Sequence, residues 1–143
     1  MSEMCYRVLG LSGLEVSRIC LGTMMFGGPT DEAEAGRIVA DAQAHGVNFI
    51  DTADAYADGR SEEVVGRAVK ANRNHWVLAT KVANPTGKAR NDRGLTRSHV
   101  MRAVEASLRR LGTDVIDLYY LHRPDTKVPI EESVGAMAEL VTA

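Results

Sequence analysis

Two hydrophobic periods alternate along this chain, one typical of strands and one typical of helices. Short apolar runs with strand character are ICLGT at 19–23, VNFI at 47–50, WVLATK at 76–81 and VIDLYYL at 115–121. Each run is followed by a segment whose apolar residues recur at helical spacing. The pattern predicts four consecutive βα units, and strands that alternate with helices form a parallel sheet.

The helical segments carry start and stop signals. DEAEAGRIVADAQAHG has acidic residues in its first turn and Gly46 at its end, and SEEVVGRAVKA begins at Ser61, a plausible N-cap. TRSHVMRAVEASLRRLG ends on a basic cluster that complements the helix dipole, and PIEESVGAMAELVTA has Pro129 near its start. Ahead of the first βα unit, YRVL and EVSR flank a turn and predict a β-hairpin.

The spacing of the strand ends narrows the architecture. These ends fall near residues 23, 51, 81 and 122, which gives intervals of 28, 30 and 41 residues. The first two intervals match a βαβ unit of about 30 residues, and a polar loop around 83–95 lengthens the third. The prediction is an α/β fold in which residues 1–143 form a single domain. A four-stranded open sheet and half of a (β/α)8 TIM barrel both fit, since a complete barrel needs about 250 residues.

Composition and charge exclude several classes of protein. The 143 residues are 45% hydrophobic and 25% charged with a net charge of −2, which is ordinary for a globular domain and suggests neither a nucleic-acid nor an anionic-membrane partner. Apolar runs are too short to cross a bilayer, and the N-terminus carries Glu3 without an apolar signal-peptide core. Cys5 and Cys20 do not resemble a disulfide framework, and Cys20 is interpreted as a small core residue. We therefore expect a reducing, cytoplasmic location.

Ionisable residues stand at the ends of three successive strands: Asp51, Lys81 and His122. A single charged residue there marks only the point where a strand reaches water. Three such residues at the same edge indicate an active site, because barrel enzymes hold their active sites at the carboxyl ends of the strands.

These residue types suit the reduction of a carbonyl group. A lysine beside an aspartate stays charged, and its charge favours ionisation of a nearby phenol, whose unperturbed pKa is about 10. Beside Lys81, Tyr56 is a candidate general acid toward a substrate oxygen, and His122 a candidate to orient that oxygen. The hydride must come from elsewhere, which requires a reduced nicotinamide.

The segments GTMMFGG, NFIDTADAYADGRSEEVVGRAV, LATK and DVIDLYYLHRPD resemble the successive signatures of the aldo-keto reductase family. The resemblance covers essentially the whole chain and implies a catalytic tetrad of Asp51, Tyr56, Lys81 and His122. It also implies that Gly22, Thr23 and Met24 lie against the nicotinamide of NADPH, with Asp51 near its ribose. Met24 alternatively only fills a gap, and Tyr119 and Tyr120 are rival phenols on opposite faces of one strand.

Family members have about twice this length, so the resemblance identifies the chain as an N-terminal half-barrel that lacks most of the cofactor site. Three functions follow as expectations: a reductase of aldehydes or ketones, a non-catalytic assembly module such as the channel-associated relatives, or an inactive truncated fragment. The expected partners are a small carbonyl substrate and either a second copy of the chain or a complementary C-terminal half. The other histidines, at positions 45, 75 and 99, have no ligand-like spacing, so they are expected at the surface or at helix ends and no metal site is predicted.

Overall fold

The computed structural model describes residues 4–143 and begins with the predicted hairpin. Strand β1 (Tyr6–Val8) pairs antiparallel with β2 (Glu15–Ser17). The side chain of Asn48 accepts from the Ser17 N–H at 2.7 Å and donates to the Glu15 carbonyl at 2.9 Å. The hairpin is thereby attached at the start of a later strand. The prediction that the chain is not exported used Glu3, which lies outside the described residues.

Four parallel strands follow in the predicted order. They are β3 (Cys20–Gly22), β4 (Phe49–Asp51), β5 (Val77–Val82) and β6 (Leu118–Leu121), and the sheet order is β3-β4-β5-β6. Each strand is hydrogen-bonded to the next one along the chain. The α/β prediction with a parallel sheet is confirmed.

Four α-helices connect and follow these strands: α1 (Glu32–Ala44), α2 (Arg60–Val69), α3 (Arg97–Leu111) and α4 (Ile130–Thr142). Helix α1 packs on α2, α2 on α3, and α3 on α4. Parallel strands in consecutive order with right-handed connections place all helices on one face of the sheet. This is the arrangement of a barrel wall and not of a doubly wound open sheet.

The helix side of the sheet is packed, whereas the inner face is exposed at β3. Leu21, Ile50 and Leu78 point to the helix side, where Ile50 and Leu78 belong to the main hydrophobic cluster and Leu21 packs against it. Neighbouring positions point the other way, because side chains alternate along a strand. On that inner face Cys20 and Gly22 are exposed. The prediction of Cys20 as a core residue is therefore wrong for this chain, since β3 lies at an edge of the sheet in the described residues.

Several predicted details also differ from the structure. Helix α2 begins at Arg60 after Gly59, whose φ of 90° is left-handed, so Ser61 is not the N-cap. Strand β6 begins at Leu118, later than predicted, because the Asp117 carboxylate accepts the Leu78 N–H at 2.9 Å. His99 lies in the first turn of α3 as expected, but it is buried. Within residues 4–143 no helix has the length and apolarity to cross a membrane.

Candidate active site

The predicted strand-end residues converge at one edge of the sheet. Asp51 is the last residue of β4, Lys81 is the penultimate residue of β5, and His122 directly follows β6. Thr23 directly follows β3, and its amide donates to the Asp51 carbonyl at 3.0 Å. The parallel topology makes this convergence unavoidable, because all four strands present their carboxyl ends on the same side.

Lys81 is the centre of the group. Its Nζ donates to Asp51 Oδ2 at 2.6 Å, to the Thr52 carbonyl at 2.7 Å and to the Tyr56 phenol oxygen at 3.1 Å. The Lys81 and Asp51 side chains are only 14% and 23% exposed, so water screens this ion pair weakly. Three acceptors use all three protons of the ammonium, which fixes its position.

Tyr56 reaches Lys81 from a short loop between β4 and α2. The loop forms a 3₁₀ turn at Tyr56–Gly59, in which Ala57 and Asp58 adopt left-handed φ values of 49° and 55°. Two consecutive non-glycine residues in this region are strained and need support from the surrounding structure. The turn places the ammonium of Lys81 4.7 Å from the centre of the Tyr56 ring. The phenol oxygen accepts from Lys81, so its own proton is directed elsewhere.

His122 completes the group and contacts both Tyr56 and Asn84. Its ring packs edge-on to Tyr56 with the ring centroids 5.8 Å apart. The Asn84 amide nitrogen lies 3.1 Å from His122 Nδ1, and an amide nitrogen only donates. This contact favours the tautomer in which Nδ1 accepts and Nε2 carries the proton. Desolvation and the charge of Lys81 lower the pKa of His122 below its usual value, so the neutral ring dominates at neutral pH.

A buried hydroxyl cluster joins the loops after β3 and β4 to the first turn of α2. Ser61 donates to the Thr23 carbonyl at 2.8 Å, and its oxygen lies 3.0 Å from Thr23 Oγ1 and 2.9 Å from Thr52 Oγ1. Thr23 Oγ1 also donates to the Asp51 carbonyl at 2.9 Å. These three side chains are at most 1% exposed. The Thr23 hydroxyl is thus committed to protein contacts, and only its backbone is left to meet a ligand.

The surface beside Asp51 fits the nicotinamide end of a dinucleotide. A Cβ added at Gly22 would meet nothing within 4 Å, and Met24 is 61% exposed, which together leave an open apolar surface at the strand end. The partly exposed carboxylate of Asp51 lies next to it, suitable for a ribose hydroxyl. The roles predicted for these three residues remain predictions.

The sequence analysis did not predict the roles of two residues, Asn84 and Ser61. Asn84 lies in the polar loop after β5. Its position just past a strand end was the signal that could have identified it, as the strand-end position did for Lys81. Ser61 was interpreted as a cap, and its buried role depends on contacts with residues that are distant in sequence. Of the rival phenols, Tyr120 pairs with Lys81 on the inner face, whereas Tyr119 faces the helices and packs against the second hydrophobic cluster.

Metal and thiol chemistry gain no support at this edge. Residues 4–143 contain no group of three or more His, Cys, Asp or Glu side chains arranged to hold a metal ion. Partial burial and the Asp51 carboxylate raise the pKa of the Cys20 thiol to about 11, so it is protonated at neutral pH and a poor nucleophile.

Known proteins resemble this chain in sequence and in structure. The chain is 44% identical over 138 residues to a probable voltage-gated potassium channel subunit beta of Arabidopsis thaliana, and 43% identical over 144 residues to the aldo-keto reductase YhdN of Bacillus subtilis. Among solved structures, the holo form of the aldo-keto reductase AKR11C1 of Bacillus halodurans superposes with a TM-score of 0.89 at 41% identity.

The alignments cover nearly all of this chain but less than half of each relative. The alignments include 94–98% of this chain but 42% of the Arabidopsis protein, 44% of YhdN and 47% of the B. halodurans chain. The chain thus spans about half the length of the relatives it matches. The sequence model of the aldo/keto reductase family matches residues 18–143, which include all four βα units. This chain belongs to the aldo/keto reductase family.

Proposed function

We propose that this chain supplies the catalytic residues of an NADPH-dependent oxidoreductase that reduces an aldehyde or ketone to an alcohol. The observation that carries the proposal is the 3.1 Å contact between Lys81 Nζ and the Tyr56 phenol oxygen, with Asp51 2.6 Å behind the ammonium. The chain is identical to the aldo-keto reductase YhdN at 43% of the aligned positions, which supports the same chemistry.

In this proposal Tyr56 is the general acid. The reduced nicotinamide, when bound, supplies the hydride to the carbonyl carbon. Tyr56 gives its proton to the carbonyl oxygen, the alcohol leaves, and the phenolate recovers a proton from water. Lys81 stabilises the negative charge on Tyr56 during this exchange, and Asp51 holds Lys81 in place. His122 donates from Nε2 to the same substrate oxygen and fixes its orientation.

The assembly that acts would need more strands than this chain has. Strands β3 and β6 each have a strand partner on one side only within the described residues, and inner-face residues such as Tyr120 remain exposed. We infer that a TIM barrel is completed by further strands, from a second copy or from a complementary C-terminal half. A location in the cytoplasm would provide both the reduced cofactor and the reducing conditions that suit Cys20.

A second candidate is a non-catalytic assembly module. It is favoured by the 44% identity to the Arabidopsis protein, whose name describes a channel subunit. Under this alternative the four strand-end residues serve only as a structural or cofactor-sensing group. Retained binding of a potassium-channel segment by a Lys81→Met variant, without turnover in the unsubstituted protein, would favour the module.

The test of the proposed reductase is NADPH consumption in the presence of an aromatic aldehyde, with the alcohol product quantified. The oligomeric mass is measured in the same sample, so that an incomplete barrel is recognised as such. One alcohol formed per NADPH consumed supports the proposal. A complete barrel that binds NADPH but forms no alcohol from any of a panel of aldehydes and ketones contradicts it.

A further inference from the structure

A buried acidic cluster lies beneath the Tyr56 loop on the helix side of the sheet. Glu62, in the first turn of α2, is 0% exposed and accepts from Arg110 Nε at 2.6 Å and from Thr80 Oγ1 at 2.5 Å. The strand-end chemistry does not use these residues. Their hydrogen bonds join α2, α3 and β5, which are three of the elements that surround the loop.

Asp54 lies near the start of this loop, close enough to Glu62 and Arg110 to interact with their charges. It is 2% exposed, and neither of its carboxylate oxygens makes a hydrogen bond of normal geometry. The hydroxyl of Tyr119 is likewise buried without a hydrogen-bond partner, and it interacts electrostatically with Asp54. A buried ionised carboxylate without partners is costly, whereas a protonated one can donate to a neighbour.

The charged and titratable groups around Asp54 come from four elements. Glu62 of α2 opposes its ionisation, while Arg110 of α3 and Lys81 of β5 favour it, as does the nearby Ala55 N–H. Tyr119 of β6 is neutral, because burial and the neighbouring carboxylates raise its pKa. Burial is the largest influence, and it raises the pKa of Asp54 to about 7.

Two contacts hold the loop at its ends, and one of them is with a residue of this cluster. Asp54 is two residues from Tyr56, and its amide donates to the Lys81 carbonyl at 3.3 Å. At the other end of the loop, a Cβ at Gly59 would lie 2.8 Å from the Arg110 side chain, so the loop rests directly on the residue that binds Glu62. The left-handed residues Ala57 and Asp58 lie between these two supports.

From this arrangement we propose that Asp54 is a positioning residue: in its neutral form it lets the Tyr56 loop pack beside the Glu62–Arg110 pair, and its ionisation loosens the loop. The inference rests on the proposed function in that the phenol being positioned is the proposed acid. An ionised Asp54 would place a second negative charge beside Glu62, and the strained turn would lose its buried support. The phenol would then leave its contact with Lys81.

The sign of the effect follows from the direction of the shift. Asp54 is easier to ionise in an open loop, where its pKa returns toward about 4, than in the closed loop. The closed state therefore loses stability as the pH rises from about 4 and keeps losing it until Asp54 ionises near 7. Above that pH the closed state loses no further stability through Asp54.

Amide hydrogen exchange of the 52–59 segment tests the proposal between pH 5 and pH 8.5. Rates are divided by those of an unstructured peptide of the same sequence, which removes the intrinsic base catalysis. The wild-type protein should lose at least tenfold in protection across this range. Asp54→Asn mimics the neutral acid and should show no loss. Asp58→Asn, the same change at an exposed position of the loop, should behave as the wild type.

Either constant protection in the wild type or the same loss of protection in Asp54→Asn overturns the proposal. If the Asn variant does not fold, a ¹³C titration of the wild-type Asp54 carboxyl replaces it, and a midpoint below about 5 contradicts the proposal. The exchange measurement needs no turnover. Failure of the reductase proposal, seen as alcohol formation unaffected by Tyr56→Phe, is therefore distinguishable from failure of the loop proposal.

Discussion

Lys81 Nζ lies 3.1 Å from the phenol oxygen of Tyr56, although the two residues belong to different βα units. The strand places the lysine and the strained turn after β4 places the tyrosine. The contact makes the phenol oxygen an acceptor toward the protein and leaves its proton for a ligand. The predictions below test this relationship and the elements that support it.

The charge of Lys81 should be visible in the titration of His122. Replacing Lys81 with Met removes a cation that lowers the pKa of His122 and leaves Asp51, which raises it. We therefore expect the pKa of His122, followed by NMR of its ring protons, to rise in Lys81→Met.

Two other substitutions calibrate this result. Arg123→Met should raise the same pKa by less, because Arg123 is the weakest of the groups that act on His122. Lys127→Met, in the same loop, should leave it unchanged. A His122 pKa that is the same in Lys81→Met and in the wild type would place the two side chains too far apart to interact.

The Glu62–Arg110 pair should matter much more than a surface pair. Arg110→Met leaves the fully buried Glu62 carboxylate without its cation, which we expect to lower the free energy of unfolding by about 3 kcal/mol. Arg67→Met breaks the exposed pair with Glu32 and should leave the free energy of unfolding nearly unchanged. Urea denaturation of the two variants measures both. Equal effects would contradict the buried role of Glu62.

Gly66 should be required for the contact between α2 and α3. A Cβ there would lie 2.2 Å from the Leu111 carbonyl oxygen, so the two helices would have to separate. We expect Gly66→Ala to lower the free energy of unfolding by about 2 kcal/mol, as overpacking does. At Gly36 in α1 the added Cβ meets nothing, and Gly36→Ala should raise the stability by about 0.5–1 kcal/mol. Stabilisation by both substitutions would refute this packing.

The sequence was sufficient for the order of the elements and for a parallel sheet, because strand and helix periods alternate and consecutive βα units permit few topologies. It was insufficient for boundaries at which side chains replace backbone partners, as Asp117 does before β6 and Ser61 does in α2. It also did not reveal that β3 lies at an edge of the sheet in the described residues. For that reason Cys20 was placed in the core and is exposed instead.

The site shows the same division. Asp51, Lys81 and His122 were predictable as neighbours because parallel strands bring their carboxyl ends together. Asn84 was not predictable as a neighbour, since only one hydrogen bond, to the His122 ring, brings it into the site. The groups that interact with the buried Asp54 come from four separate elements, and no local pattern in NFIDTADAY indicates them.

The most direct test of the account is the rate of NADPH-dependent aldehyde reduction by Tyr56→Phe in the assembled protein. Loss of the proton donor should lower kcat by about a hundredfold to ten-thousandfold, with NADPH binding retained. Tyr120→Phe, which alters the neighbouring phenol on the inner face, should stay within a few-fold of the wild type. Unchanged turnover in Tyr56→Phe, or an equal loss in Tyr120→Phe, would contradict the assignment of Tyr56 as the acid.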